Sequence, residues 1–194
     1  MAQRYPEWCK RSMDIVIAAL ALLLLAPLML FVFLLVRITS AGPAIFWSDR
    51  LGRNGELFAM PKIRTMYVET PVQATDQMVD PSRYVTPIGN VLRKLSIDEL
   101  PQLWCVFVGS MSLVGPRPAL KSQTKLIVLR QKRGVHRLKP GLTGLAQING
   151  RDFLTDCQKL EFDERYLNQQ TLWLDVRILL QTLPLIFSRR GVAH

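Results

Sequence analysis

From Ile15 to Val36 the chain runs for 22 residues without one charged or polar side chain, interrupted only by Pro27. As a straight helix rising 1.5 Å per residue, such a run reaches about 33 Å, enough to cross the hydrocarbon of a bilayer. Membrane contact is the first inference. A cleaved signal would have a shorter apolar core, about 7 to 15 residues, and Pro43 crowds the nearest small-residue site at Ala41. The segment is expected to stay on the chain.

Length alone favours a span, but two features oppose one. Pro27 removes a backbone hydrogen bond near the middle of the run, at about 3 kcal/mol in a continuous helix. The flanking charges are also even, with Arg4, Lys10 and Arg11 before the run and Arg37, Arg50 and Arg53 after it. The positive-inside rule then assigns both ends to the cytoplasmic side. A helix broken at Pro27 satisfies both features, because its arms of 12 and 9 residues are about 18 and 13 Å long, too short to cross but long enough to dip in and return. The expectation is a re-entrant helix-break-helix over residues 1–40, the competing reading being a kinked signal anchor. Residues 41–194 are expected to form a cytoplasmic domain.

All 40 charges lie outside the run, and from Arg37 onward 22 basic residues face 13 acidic ones. Such a body folds in water and favours an anionic partner, whether lipid head groups, nucleotide phosphates or nucleic acid. Cys9, Cys105 and Cys157 are too far apart for a metal or redox pair, which points to a reducing cytoplasm without disulfides or structural zinc. With His136 and His194 the only histidines, a Ser-His-Asp hydrolase or multi-histidine metal centre is improbable.

The pattern of the body predicts a helix-rich α/β fold with a small β-hairpin. Ala44–Trp47 and Leu57–Met60 are apolar pieces separated by Asp49, Gly52, Asn54 and Gly55, a hairpin signature. Thr70 to Thr86 reads as a polar loop. Helical patterning runs from Val91 to Phe107 and again, with a basic face, from Ala119 to Arg137. Lys139 to Arg151 reads as a glycine-rich loop, and Leu172–Phe187 as an amphipathic helix that is either interfacial or core.

Chemistry concentrates in Arg93 to Leu103, where Asp98 and Glu99 stand beside Arg93 and Lys94 in apolar surroundings. Ser96 and Glu99 fit a capping box, with Asp98 at the positive helix end. The functional alternative is an acidic pair that holds Mg²⁺ and supplies a carboxylate nucleophile to a phosphate-bearing substrate. Only an anionic substrate requires the cations that accompany it: Lys62, Arg64 and Arg117, the last set between prolines and preorganised for a phosphate oxygen.

The motifs fall in a recognisable order. They are Lys10-Arg11-x-x-Asp14, Lys62-x-Arg64-Thr65-Met66, Leu95-Ser96-x-Asp98-Glu99-Leu100-Pro101-Gln102, Val114-Gly115-Pro116-Arg117-Pro118, and Pro140-Gly141-x-Thr143-Gly144 leading to Gln147-x-Asn149-Gly150-Arg151. From Lys10 to about Arg190 the chain resembles the bacterial sugar transferases, monotopic phosphoglycosyl transferases that act on polyprenyl phosphate, in their small single-domain form.

The resemblance implies a membrane-associated α/β enzyme with a re-entrant N-terminal helix and interfacial helices on the cytoplasmic face of the bacterial inner membrane. It implies transfer of a sugar-1-phosphate from a UDP-sugar to undecaprenyl phosphate with Mg²⁺ and release of UMP. Asp98 would be the nucleophile, with Glu99 helping to hold the metal. Lys62, Arg64, Arg93 and Arg117 would contact phosphates. Lys10, Arg11, Asp14 and Pro27 would form the head-group anchor, and Gly144, Gln147, Asn149 and Arg151 a nucleotide-side loop. The partners implied are the UDP-sugar, undecaprenyl phosphate and cytoplasmic-leaflet lipid, without nucleic acid. A non-catalytic basic module that holds anionic lipid or nucleic acid is the competing class. The sugar, the glycan pathway and the oligomeric state, a homodimer included, stay open. Three positions depart from the family pattern: Ala26-Pro27 stands for Ser-Pro, Ile63 for Phe, and Ser48-Asp49 for Gln.

Overall fold

The computed structural model describes residues 6–70, 81–150 and 153–187. Its first element is one helix, α1 (Glu7–Thr39), which continues through Pro27. The two separate arms expected from Pro27 are therefore not seen. A proline lacks one donor and crowds the preceding turn, but a helix of this length keeps its remaining hydrogen bonds. Across the apolar run Val16, Ile17, Leu20, Leu23, Leu24, Leu30, Phe31 and Leu34 are exposed, a surface suited to lipid rather than water.

Both ends of α1 pack on the body. Ala18 joins a core formed by Met60, Leu103, Val106, Met111, Leu113, Val114, Tyr166 and Ile178. Val32 and Val36 join a second cluster with Ile63 and Leu92, and Ile88 and Ile97 pack against it.

The hairpin forms as the sequence predicts, but longer. Strands β1 (Ile45–Leu51) and β2 (Leu57–Ile63) pair antiparallel from Ile45↔Ile63 to Leu51↔Leu57. Asn54 and Gly55 reverse the chain in left-handed backbone. β3 (Ser112–Val114) and β4 (Ala119–Leu120) follow. β4 adds to the free edge of β1 through Arg50↔Leu120 and Leu51↔Ala119, giving the order β2-β1-β4.

The long helices expected over Val91–Phe107 and Ala119–Arg137 are shorter than predicted. The first divides into α2 (Pro87–Lys94), a 3-10 turn at Ile97–Glu99, and α3 (Gln102–Val108). The division falls where Ser96 adopts left-handed backbone, while Pro101 provides the start of α3. The second keeps only α4 (Thr124–Lys132), ended by Gly134 at φ 73°. The glycine-rich stretch is not a plain loop: β5 (Gly141–Thr143) lies parallel to β3, and α5 (Leu145–Ile148) follows it. α6 (Asp156–Gln169) begins with a Thr155–Gln158 capping box, and α7 (Leu172–Phe187) has the predicted bounds.

Exposed apolar side chains also stud the body: Val91 and Leu95 near α2, Trp104, Phe107 and Val108 on α3, and Trp173, Leu180 and Leu183 on α7.

Candidate active site

The acidic pair sits in the 3-10 turn between α2 and α3, and the capping reading fails there. Ser96, in left-handed backbone, makes no side-chain cap, and Glu99 turns away to meet two cations. Glu99 Oε1 accepts from Lys62 Nζ at 2.9 Å and from Arg117 at 3.4 Å. Lys62 comes from β2 and Arg117 from the loop after β3, so three motifs distant in sequence converge on one carboxylate. Arg93, at the end of α2, donates Nε to Thr65 Oγ1 at 2.8 Å, and its charge acts on Asp98.

Asp98 is buried. Burial pushes its carboxyl up to about 6, Lys62 and Arg93 pull it down, and the neighbouring charge of Glu99 raises it further. At neutral pH the group is ionised yet poorly solvated, a useful state for a carboxylate that attacks phosphorus or holds a cation.

Not every predicted phosphate ligand faces this pair. Arg64 is buried and donates to the Ala41 carbonyl at 2.6 Å and to the Ser40 carbonyl and hydroxyl at 2.8 and 2.7 Å. It fastens the chain leaving α1, because the last carbonyls of a helix lack intrahelical donors.

The expected head-group anchor is likewise engaged within the protein. Lys10 Nζ lies 2.5 Å from Asp175 Oδ2, and Asp175 is fully buried. The Tyr166 hydroxyl is 2.7 Å from Asp175 Oδ1 and 3.1 Å from the Val114 carbonyl. Arg11 donates to the Val106 and Phe107 carbonyls at 2.7 and 2.6 Å, closing the end of α3. Asp14 accepts the Leu113 N–H at 3.0 Å. These side chains join α1 to α3, β3 and α7, while Pro27 lies in the apolar stretch of α1.

The remaining predicted residues divide. Gly144 lies against the loop of Arg117: a Cβ there would come within 2.1 Å of the Gly115 carbonyl oxygen. Gln147 is buried with neither amide atom hydrogen-bonded. Asn149 donates to the Leu145 carbonyl at 2.8 Å, and Arg151 lies outside the described residues.

Four residues near this site were missed by sequence reasoning. Arg50 and Gln102 line a cavity with Glu99, Arg117 and Gly141. Arg50 stood out only as a flanking charge, although its period-two spacing from Ser48 on a strand puts both on one face. Arg130 and Asp163 form a buried ion pair at 2.7 Å, and Arg130 also donates to the Arg117 carbonyl at 2.8 Å. Pairing of α4 with α6 has no local signal in the sequence.

No cluster of three or more acidic, histidine or cysteine ligands occurs among the described residues. The donor set is instead two hard carboxylates, one of them buried. That fits a Mg²⁺ ion held jointly with substrate phosphates and water, since Mg²⁺ commonly takes only one or two protein carboxylates.

A family model described as "Bacterial sugar transferase" matches residues 5–189. The exopolysaccharide production protein ExoY of Sinorhizobium fredii is 38% identical, over 94% of this chain and 87% of its own length. An undecaprenyl-phosphate glucose phosphotransferase of Komagataeibacter xylinus is 40% identical over 97% of this chain. A UDP-glucose:undecaprenyl-phosphate glucose-1-phosphate transferase of Escherichia coli is 39% identical over 90% of it. The matched region covers only 39% of the length of each of the latter two relatives.

Proposed function

The chain belongs to the bacterial sugar transferase family, and from that premise we propose that it transfers a sugar-1-phosphate from a UDP-sugar to undecaprenyl phosphate and releases UMP. The observation that carries this reading is the buried Asp98, under the charges of Lys62 and Arg93 and next to a Glu99 gripped by Lys62 and Arg117. A surface that merely held anionic lipid would have no use for a buried Asp98 beside Glu99 among its cations. The names of relatives add support, since two act on undecaprenyl phosphate and one of these on UDP-glucose.

In the proposed reaction a carboxylate oxygen of Asp98 attacks the β-phosphorus. The bond from that phosphorus to the bridging oxygen breaks, and UMP departs with the electron pair. A phosphate oxygen of undecaprenyl phosphate then attacks the same phosphorus, displaces the Asp98 carboxylate and yields the polyprenyl diphosphate sugar. Lys62 and Arg117 orient and neutralise the diphosphate, a role worth most where water is excluded. Arg93 stabilises the ionised form of Asp98. Asp98 and Glu99 would hold Mg²⁺, which supplies charge neutralisation at the phosphate oxygens when bound. Glu99 is also suited to assist proton transfer.

The membrane reading is re-entrant, on the cytoplasmic face of the inner membrane. A straight helix would separate Ala18 from Val36 by about 27 Å, yet the clusters these residues join both draw on β2, through Met60 and Ile63. Packing of both ends on one body, together with the even flanking charges, supports a continuous helix bent at Pro27 that enters and leaves the membrane on one side. Exposed Trp104, Phe107 and Trp173 suit an interfacial surface.

The test is release of UMP from a panel of UDP-sugars by detergent-purified protein with Mg²⁺ and undecaprenyl phosphate, beside Asp98→Asn. UMP released from one or a few sugars, and none by the variant, is the expected result. Turnover retained by Asp98→Asn removes Asp98 from the nucleophile role, and release of UDP instead of UMP would mean transfer of the sugar alone.

A further inference from the structure

The cavity beside Glu99 is bordered by Arg50, Met60, Gln102, Arg117, Pro118, Gly141 and Leu142 and has a volume of about 10 Å³. That is room for about one oxygen atom. Its polar side chains are mostly donors: two guanidiniums and an amide nitrogen, against the single carboxylate of Glu99. Gln102 is only 4% exposed, and its Nε2 has no hydrogen-bond partner. A buried donor left unpaired costs about 1–3 kcal/mol, so it calls for an acceptor.

Among the described residues, Arg50 is held in place without an ion pair to a carboxylate of its own. Its Nε donates to Ser48 Oγ at 3.1 Å and its NH1 to the Pro118 carbonyl at 3.3 Å. Burial first, and then the like charge of Arg117, lower its pKa to about 10, which still leaves it a cation at neutral pH. Among the described residues, Lys62, Arg50, Arg93 and Arg117 thus gather around the carboxylates of Asp98 and Glu99. The diphosphate of a nucleotide sugar, whose ionised oxygens are acceptors only, suits such a gathering of donors.

We infer that Arg50 and Gln102 bind phosphate oxygens of the donor's diphosphate directly, completing with Arg117 a cradle in which one oxygen occupies the cavity beside Glu99. A guanidinium whose Nε and one terminal nitrogen are already fixed presents its remaining donors with little entropy to lose. The Gln102 amide nitrogen adds a neutral donor, which suits a phosphate oxygen and disfavours a donor-only cationic group. The inference deepens the transferase reading and rests on it for the identity of the diphosphate.

The experiment measures binding of inorganic pyrophosphate to the full chain in detergent by calorimetry. The variants are Arg50→Ala, Arg50→Lys, Gln102→Ala and the near-isosteric Gln102→Glu, each checked for an unchanged melting temperature. Arg50→Ala is expected to weaken binding at least tenfold, Arg50→Lys by less, Gln102→Ala several-fold, and Gln102→Glu to abolish it. Arg50→Lys and Gln102→Glu preserve charge or shape and keep the test valid if an alanine variant misfolds. Wild-type affinity in folded variants at both positions, or no pyrophosphate binding by the wild type, overturns the inference. UMP release from the panel of UDP-sugars is measured in parallel. A wild type that binds pyrophosphate through Arg50 but releases no UMP from any UDP-sugar would sink the transferase reading and leave the anion cradle standing.

Discussion

Replacing Asp98 by Asn should abolish turnover and at the same time stabilise the protein, by an amount that depends on pH. Burial raises the carboxyl from an ordinary 3.8 to about 6 in the folded chain, so the folded state holds the proton more tightly than the unfolded state. Below 3.8 both states are protonated and the carboxyl costs nothing. As pH rises through 6 the folded chain must carry a poorly solvated charge, and above it the cost is complete. At 1.36 kcal/mol per pKa unit the penalty is about 3 kcal/mol at pH 7.5 and about 1 kcal/mol at pH 4.5. Asn has nearly the same shape and no charge, so it removes the penalty at both pH values.

For a chain of this size each kcal/mol moves the melting temperature by about 2–4 °C. In detergent without divalent cations, Asp98→Asn should melt about 6–12 °C above the wild type at pH 7.5 and only about 2–4 °C above it at pH 4.5. A gap that is the same at both pH values, or a variant that melts lower at both, would refute the claim that burial of the charge sets the state of Asp98. Wild-type UMP release should rise with pH as the nucleophile ionises, with a midpoint below the metal-free value of about 6, because bound Mg²⁺ favours the carboxylate.

Three further outcomes follow from particular contacts. Arg130→Ala leaves Asp163 buried without its cation and frees the Arg117 carbonyl, so it should cost about 3–5 kcal/mol and lower UMP release. Arg133→Ala breaks only an exposed pair with Glu164 and should change stability by at most about 1 kcal/mol, and equal melting temperatures for the two variants would refute the contrast. Lys10→Ala and Asp175→Ala should each destabilise strongly, while the double variant should lose clearly less than their sum, because the two charges compensate one another; thermal melts of the full cycle test this. Gly144→Ala drives a Cβ into the Gly115 carbonyl and should cost about 1–3 kcal/mol along with activity. Gly134→Ala meets no atom but keeps a left-handed backbone, so it should cost about 1–2 kcal/mol and leave UMP release per folded molecule unchanged.

The sequence by itself determined the features that depend on neighbouring residues and bulk composition. Twenty-two apolar residues in succession can be accommodated only by lipid or by a very large core, and two short apolar pieces around Asn54-Gly55 mark a hairpin by turn chemistry alone. α7 has its predicted limits because an amphipathic repeat of 16 residues needs no distant partner to be recognised. The Asp98-Glu99 pair was legible as chemistry because adjacent carboxylates among cations and apolar residues are costly without a use.

Tertiary structure alone decided which cations face that pair. Arg64 and Arg93 both looked like phosphate ligands, yet the carbonyls leaving α1 take the first, while the second stays within reach of Asp98. Lys10 and Arg11 looked like lipid contacts, but a fully buried Asp175 and the unsatisfied carbonyls of α3 bind them more demandingly than solvated head groups would. Ser96 looked like a helix cap until left-handed backbone divided the helix and released Glu99 to Lys62 and Arg117. Arg50 reached the site because β4 pairs with β1 and brings the Pro118 carbonyl to it. Each of these outcomes is a competition among polar groups for partners that lie dozens of residues away. Only the folded chain brings those competitors within 3 or 4 Å, the range over which hydrogen bonds and ion pairs choose between them.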